Sequence, residues 1–268
     1  MLIVGELINT SRKPIKEAVE NRDAAYIREI ARRQAEAGAH YIDVNCGTLV
    51  RNEPEVMAWL VELVKEAVDL PVCIDSPNPR ALEVGLELAA DRGQPMVNSI
   101  TAESERFNTV LPLVLKYKAR VVALLMDDSG MPDTAEQRIA IVRKLVGDLT
   151  RSGVPEDDIY IDPLVKPVST SDSAGVEVLE TLRFIRKEYS AVHTICGLSN
   201  ISYGLPNRPV LNQVFLIQTM AAGMDAYILD PLDRTLMGFY YASQALLGKD
   251  PYCSEYLKAH RSGLYRKD

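Results

Sequence analysis

Short apolar runs alternate with helical patterns eight times along this chain, and that alternation limits the fold more than any other feature. The runs are Leu2–Glu6, His40–Asn45, Val72–Asp75, Pro95–Ser99, Arg120–Met126, Ile159–Asp162, His193–Leu198 and Ala226–Asp230. Strands separated by helical segments pair in parallel, because a parallel neighbour needs a long crossover. Eight such units predict an α/β fold closed into a (β/α)8 TIM barrel, and 268 residues are an ordinary length for one. No linker, low-complexity tract or composition break interrupts the pattern, so residues 1–268 read as one domain.

The helical segments have local causes. Asp23 is placed to cap a helix whose inner face is Ile27, Ile30, Ala31 and Gln34, and Gly38 stops it. Pro54 suits a first turn ahead of Met57, Leu60, Val61, Val64 and Val68. Asn78-Pro79 opens the next helix, and further helices are predicted from near Glu105, Thr134, Ser173, Arg208 and Asp233. Asp157-Asp158 reads as a solvated turn.

Composition removes several classes of function. A net charge of −7 argues against nucleic acid as a main partner. No apolar run approaches the roughly 20 residues that span a bilayer. Met1–Glu6 lacks the basic flank and long apolar stretch of a signal peptide. Cys46, Cys73, Cys196 and Cys253 are far apart and form no C-x-x-C, which predicts reduced thiols in a cytoplasmic protein. Cys46 and Cys196 read as small core residues.

In a (β/α)8 barrel, chemistry sits at the C-terminal ends of the strands. The residues there are Glu6, Asn9, Asp43, Asn45, Asp75, Asn98, Asp127, Asp162, Asn200 and Asp230. Asp75 precedes Ser76-Pro77, and Asp162 precedes Pro163, so a carboxylate is left at each strand tip. A lone aspartate there is as readily a helix cap. Two of them, sharing a rim with Asn98, point to a ligand. A carboxylate accepts two parallel hydrogen bonds from an N–H/NH₂ edge, and an asparagine donates and accepts side by side. The set therefore fits the edge of a flat 2-amino-pyrimidinone. It also fits Mg²⁺, which takes oxygen ligands.

Gly197–Arg208 is the longest polar, glycine-containing stretch at a strand end. It reads either as a long βα loop with Asn207 capping the next helix, or as a mobile active-site loop in which Gly197 and Gly204 permit unusual backbone angles. Asn200 would donate to a ring nitrogen, and Arg208 would reach an anion or a carbonyl. His40 and His193 begin strands, at the stabilising end of a barrel, and His260 falls in a polar tail. Without a rim histidine there is no Ser–His or Cys–His pair, and no H-E-x-x-H supports zinc. No rim residue is an evident proton donor at neutral pH.

The motifs Val4-Gly5-Glu6-Leu7-Ile8-Asn9, Ile42-Asp43-Val44-Asn45, Ile74-Asp75-Ser76, Val97-Asn98-Ser99, Ile161-Asp162-Pro163 and Gly197-Leu198-Ser199-Asn200 form an ordered set. That set resembles the pterin-binding, dihydropteroate synthase-like barrels, and among them the methyltetrahydrofolate:corrinoid protein methyltransferases. The resemblance runs through essentially the whole chain. It implies that Asp75, Asn98 and Asp162 hold the pterin and that Asn200 hydrogen-bonds N5, with Gly197, Ser199 and Arg208 in the same substrate loop. Tyr203 stands where one member of the family carries a polar amide. Dihydropteroate synthases usually have a basic pair near the end of strand eight, where this chain has Leu229-Asp230-Pro231, and a different first loop from Asn9-Thr10-Ser11-Arg12.

The activity so implied is methyl transfer between tetrahydrofolate N5 and the cobalt of a corrinoid (cobalamin), with the direction undetermined. Tetrahydrofolate is substrate or product, a separate corrinoid-binding protein supplies the corrinoid, and the enzyme has no metal of its own. The resemblance also implies a homodimer. The alternatives are a dihydropteroate synthase-type condensation and a non-catalytic folate-binding barrel that docks a corrinoid protein.

Overall fold

The computed structural model of the chain describes residues 1–49 and 51–266. Its strands are β1 (Leu2–Asn9), β2 (Tyr41–Asn45), β3 (Val72–Asp75), β4 (Met96–Ala102), β5 (Arg120–Asp127), β6 (Ile159–Asp162), β7 (His193–Thr194) and β8 (Ala226–Leu229). Its helices are α1 (Lys13–Glu20), α2 (Ala24–Glu36), α3 (Glu53–Ala67), α4 (Pro79–Ala89), α5 (Ser104–Tyr117), α6 (Ala135–Arg151), α7 (Ala174–Glu188), α8 (Arg208–Ala222), α9 (Arg234–Leu246) and α10 (Ser254–Arg261).

The strands run parallel in the order β7-β6-β5-β4-β3-β2-β1-β8. The last seam is narrow. Ile228 N donates to Cys196 O at 2.9 Å, and Gly197 bridges Ile228, which joins the short β7 segment to β8. The protein is a (β/α)8 TIM barrel.

Side chains alternate along a strand, so residues two apart face the same way. That period builds the barrel interior in two layers. The lower layer is apolar: Val4, Tyr41, Cys73, Met96, Val122, Tyr160, Ile195 and Ala226 pack together. Two residues further along each strand come Glu6, Asp43, Asp75, Asn98, Leu124, Asp162, Gly197 and Ile228, which line the cavity above. One step of the pleat thus turns a dry floor into a polar cup.

Side-chain caps explain four of the helix starts. Asp23 accepts from Tyr26 N at 3.0 Å, Asn78 from Arg80 N at 3.0 Å and Asp233 from Leu236 N at 3.0 Å. Thr134 and Gln137 form a reciprocal capping box. Asn207 departs from its predicted role: it precedes α8 in a left-handed conformation and its side chain makes no cap bond. Helices α1 and α10 lie outside the predicted set, and His260 belongs to α10 rather than to a tail. Asp157-Asp158 is more than a solvated turn. Asp158 accepts from Gln94 at 2.8 Å, and Asp157 lies 3.1 Å from His193.

Strand β1 is irregular between Gly5 and Ile8. There Leu7 N donates to Oε1 of the buried Gln34, on α2, at 2.9 Å. A Cβ on Gly5 would stand 2.5 Å from that oxygen, so only glycine admits the glutamine. This contact fixes where Glu6 emerges at the rim.

Candidate active site

The polar cup opens into a cavity of about 430 Å³ at the C-terminal strand ends. Asp43, Asp75, Asn98 and Asp162 form its base. Glu6, Asn9, Ser11 and Arg12 form one wall, and Gly197, Ser199 and Asn200 another. Leu124 and Ile228 add apolar surface, so a flat ring finds both a greasy wall and hydrogen-bonding groups. A larger cavity of about 690 Å³ lies outside the barrel beside Gln94, Leu115, Lys118 and Val154, away from these groups.

Burial dominates the ionisation of the base. Burial, opposed by the Leu164 N–H that donates to Oδ1 at 2.8 Å, pushes Asp162 up to about 7. Burial likewise raises Asp75 to about 6, against a hydrogen bond from Asn45 and the charge of Arg106. Asp43 is 1% exposed and held well above the usual carboxylate range by burial and then by Asp75. One of its oxygens is fully enclosed and has no hydrogen-bond partner. Glu6 is raised by burial against the attraction of Arg12, which bonds it at 2.5 Å. The sequence offers no evident proton donor at the rim at neutral pH, and the structure corrects that reading. Desolvation, invisible in a residue list, places two carboxyl groups there.

The loop after β7 is tied down. It forms a 3-10 turn over Leu198–Ser202, and Ile201 O accepts from Val168 N at 3.0 Å. Arg208 donates to Ser199 O at 2.7 Å and to Ser202 Oγ at 3.1 Å, so of an anion and a carbonyl its guanidinium meets a carbonyl, that of its own loop, and shapes the loop. Gly204 has φ +79°, as a turn glycine should. Gly197 does not: its φ is −69°, and a Cβ there would stand 3.3 Å from Asn200 Nδ2, close enough to make that side chain shift slightly. Asn200 lines the cavity and is exposed at its mouth.

Most residues picked from the sequence converge, and a few do not. Tyr203 is 67% exposed and outside the cavity. Asn45 sits behind Asp75, its oxygen bound by Gly47 N at 3.1 Å. Asp127 accepts from Ser129 N at 2.9 Å in an exposed turn and does not reach the cavity. Asp230 lies in an adjoining cleft with Glu6, Arg12 and Arg208. Asp75 is not a helix cap, because Asn78 caps α4. Cys46, Cys73 and Cys196 are fully buried, as small core residues are. His40 accepts from Ile3 N, and His193 bridges Asp157 and Asp225, both at the far end of the barrel. Ser11, Arg12, Ser99 and Arg106 were missed; only the run Asn9-Thr10-Ser11-Arg12 after β1 hinted at the first two. Among the described residues, no group of three or more His, Cys, Asp or Glu side chains is arranged to hold a metal ion. No helix among them is long and apolar enough to cross a membrane.

This architecture and this rim have known counterparts. The model of a family described as "Pterin binding enzyme" matches residues 5–230, most of the chain. The chain belongs to the pterin binding enzyme family. It is 38% identical over 265 residues to a methylcorrinoid:tetrahydrofolate methyltransferase from Eubacterium limosum, covering 98% of this chain and 97% of that one. It is 34% identical over 242 residues to a methionine synthase from Mycobacterium tuberculosis, of which it spans 20% of the length. Among solved structures, a dihydropteroate synthase from Xanthomonas albilineans matches with a TM-score of 0.68 at 17% identity, covering 92% of this chain and 93% of that one. One from Yersinia pestis matches with a TM-score of 0.67 at 16% identity, covering 92% and 93%. At that identity the likeness shows the barrel alone.

Proposed function

We propose that the protein is a methyltransferase that moves a methyl group between the cobalt of a corrinoid and N5 of tetrahydrofolate, in the direction from methylcorrinoid to tetrahydrofolate. The observation that carries this reading is the match along nearly both full lengths to a methylcorrinoid:tetrahydrofolate methyltransferase. The cavity supports it chemically. Asp75, Asn98 and Asp162 present two carboxyl groups and an amide to one flat edge, and the apolar layer below keeps water from the back of the ring. Asn200, at the mouth, faces the atom that exchanges the methyl group. The corrinoid is a second substrate, carried by a corrinoid-binding protein that approaches the open end.

The transfer is a displacement in which the chain need not supply a nucleophile. The N5 lone pair forms the new N–CH₃ bond, the Co–C pair stays with cobalt, and the N5 proton leaves to solvent at the open mouth. The protein holds the ring in line and answers the changing charge on N5. The side chain of Asn200 carries a donor and an acceptor, and its contact strengthens as that charge develops. The same contacts serve the reverse reaction. One barrel domain over 1–268, paired as a homodimer in the cytoplasm, completes the reading.

The test is an anaerobic single turnover of purified protein with methylcobalamin and tetrahydrofolate. Absorbance follows the corrinoid, and mass spectrometry identifies methyltetrahydrofolate. The reverse mixture of methyltetrahydrofolate and cob(I)alamin sets the preferred direction. Folate binding without transfer in either direction, with free or protein-bound corrinoid, would leave only a docking barrel. Pyrophosphate release in a condensation assay would turn the reading to dihydropteroate synthesis.

A further inference from the structure

Arg106, in the first turn of α5, spends its guanidinium on the rim backbone. Nε and Nη2 donate to Ser99 O at 2.9 and 2.7 Å. Nη2 also donates to Ser76 O at 2.8 Å, and Nη1 to Pro77 O at 2.7 Å. Ser76 and Pro77 directly follow Asp75, and Ser99 directly follows Asn98. One side chain therefore ties the end of β3 to the middle of β4, where the β4–β5 register shifts between Asn98 and Ile100. The two strands are otherwise joined there by Ser76 N donating to Asn98 O at 3.1 Å. The planar fork makes this possible, since an ammonium has no fixed set of diverging donors.

We propose that Arg106 is a positioning residue: its fork sets the spacing at which Asp75 and Asn98 meet one edge of the substrate. The inference rests on the folate reading above. Two parallel cases support it. Arg138, fully buried on α6, donates to Pro163 O at 2.9 Å, just after Asp162. Arg208 on α8 holds Ser199 O at 2.7 Å, just before Asn200. Each contact residue is thus anchored through a neighbouring carbonyl by an arginine from a helix. Ser76, Pro77 and Pro163 lie just past their strands and Ser99 at the irregularity of β4, and a guanidinium satisfies carbonyls at such places without lengthening a strand. Arg106 also acts on charge. Asp75 is faced by Asp43 and Asn45 of β2, by Glu53 of α3 and by Arg106 of α5. Of these, Arg106 is the cation, and it favours the ionised carboxylate.

Arg106→Lys and Arg106→Gln separate the fork from the charge. Anaerobic calorimetric titration with tetrahydrofolate between pH 6 and 8.5 reads affinity and its pH profile. Both variants should bind about tenfold or more weakly at pH 8.5. Arg106→Lys should keep the wild-type pH midpoint assigned to Asp75, and Arg106→Gln should move that midpoint up while the Asp162 midpoint stays. At saturating folate, kcat should fall less than kcat/KM. Folding is monitored by circular dichroism and melting. Wild-type affinity in both folded variants overturns the proposal, and so does a loss explained wholly by a smaller folded fraction. Amide exchange at Ser76 in the ligand-free protein should speed up in both variants. If the wild type binds no tetrahydrofolate, the functional reading fails, and this exchange decides alone: unchanged protection overturns the positioning role.

Discussion

Folate affinity should depend on pH through Asp162. Burial raises this carboxyl to about 7 in the free protein. An N–H/NH₂ edge needs the ionised form, because a protonated carboxyl offers a donor where an acceptor is wanted. Binding therefore selects the ionised fraction, and apparent affinity falls by the inverse of that fraction. Asp162 is fully competent at pH 8.5, about half competent at pH 7 and about one-tenth at pH 6. Asp75, at about 6, adds a further factor of about two at pH 6. The product is an affinity about 20-fold weaker at pH 6 than at pH 8.5, with about 0.6 proton released per folate bound at pH 7.

Calorimetry in two buffers of different ionisation enthalpy measures both quantities. Asp162→Asn should leave only the twofold dependence and about 0.1 proton, set by Asp75. It should also bind about 5- to 150-fold more weakly at pH 8.5, from losing a charged hydrogen bond at about 1–3 kcal/mol. A wild-type affinity that is flat from pH 6 to 8.5 would refute the reasoning. So would an Asp162→Asn variant that keeps the wild-type slope, since the titrating group would then lie elsewhere.

The same carboxyl should cost stability at high pH. Its folded pKa lies above its unfolded one, so stability falls as pH rises from about 4 to 7 and then levels off, by up to about 4 kcal/mol. Asp162→Asn should accordingly melt several degrees higher than wild type at pH 8 and near wild type at pH 4; equal gains at both would assign the effect to packing. Asn200→Ala should slow single-turnover transfer about 10²–10³-fold at saturating folate, whereas a wild-type rate would reduce Asn200 to a binding contact. Gly5→Ala should lower stability by about 1–3 kcal/mol, because its Cβ meets Gln34 at 2.5 Å; an unchanged denaturant midpoint would show that Gln34 can yield. EDTA should leave methyl transfer unchanged, and activity lost to EDTA but restored by Zn²⁺ or Mg²⁺ would defeat the metal-free mechanism.

The sequence by itself determined the architecture and the height of the site. Eight apolar runs became eight parallel strands because each is too short and too apolar to do anything but pair in a buried sheet, with helices supplying the crossovers. The caps at Asp23, Asn78 and Thr134 were legible because they act within one turn. Asp75, Asn98 and Asp162 were legible because they stand two residues along their strands from Cys73, Met96 and Tyr160 below them; Asp75 and Asp162 also end their strands, whereas β4 runs on past Asn98 to Ala102. Asp127 shows the limit of that reading: it is an odd number of residues from Val122, so the pleat turns it away and Leu124 takes the place in the cup. Tertiary structure decided what alternation cannot. The irregularity of β1 brings Asn9, Ser11 and Arg12 to the wall, and it depends on Gln34, 27 residues from Leu7. The ionisation of Asp162 and Asp75 is likewise collective, since desolvation is produced by every atom that closes around a carboxyl group. Arg106 reaches its carbonyls from a helix, with charge and fork set by packing and not by any local motif.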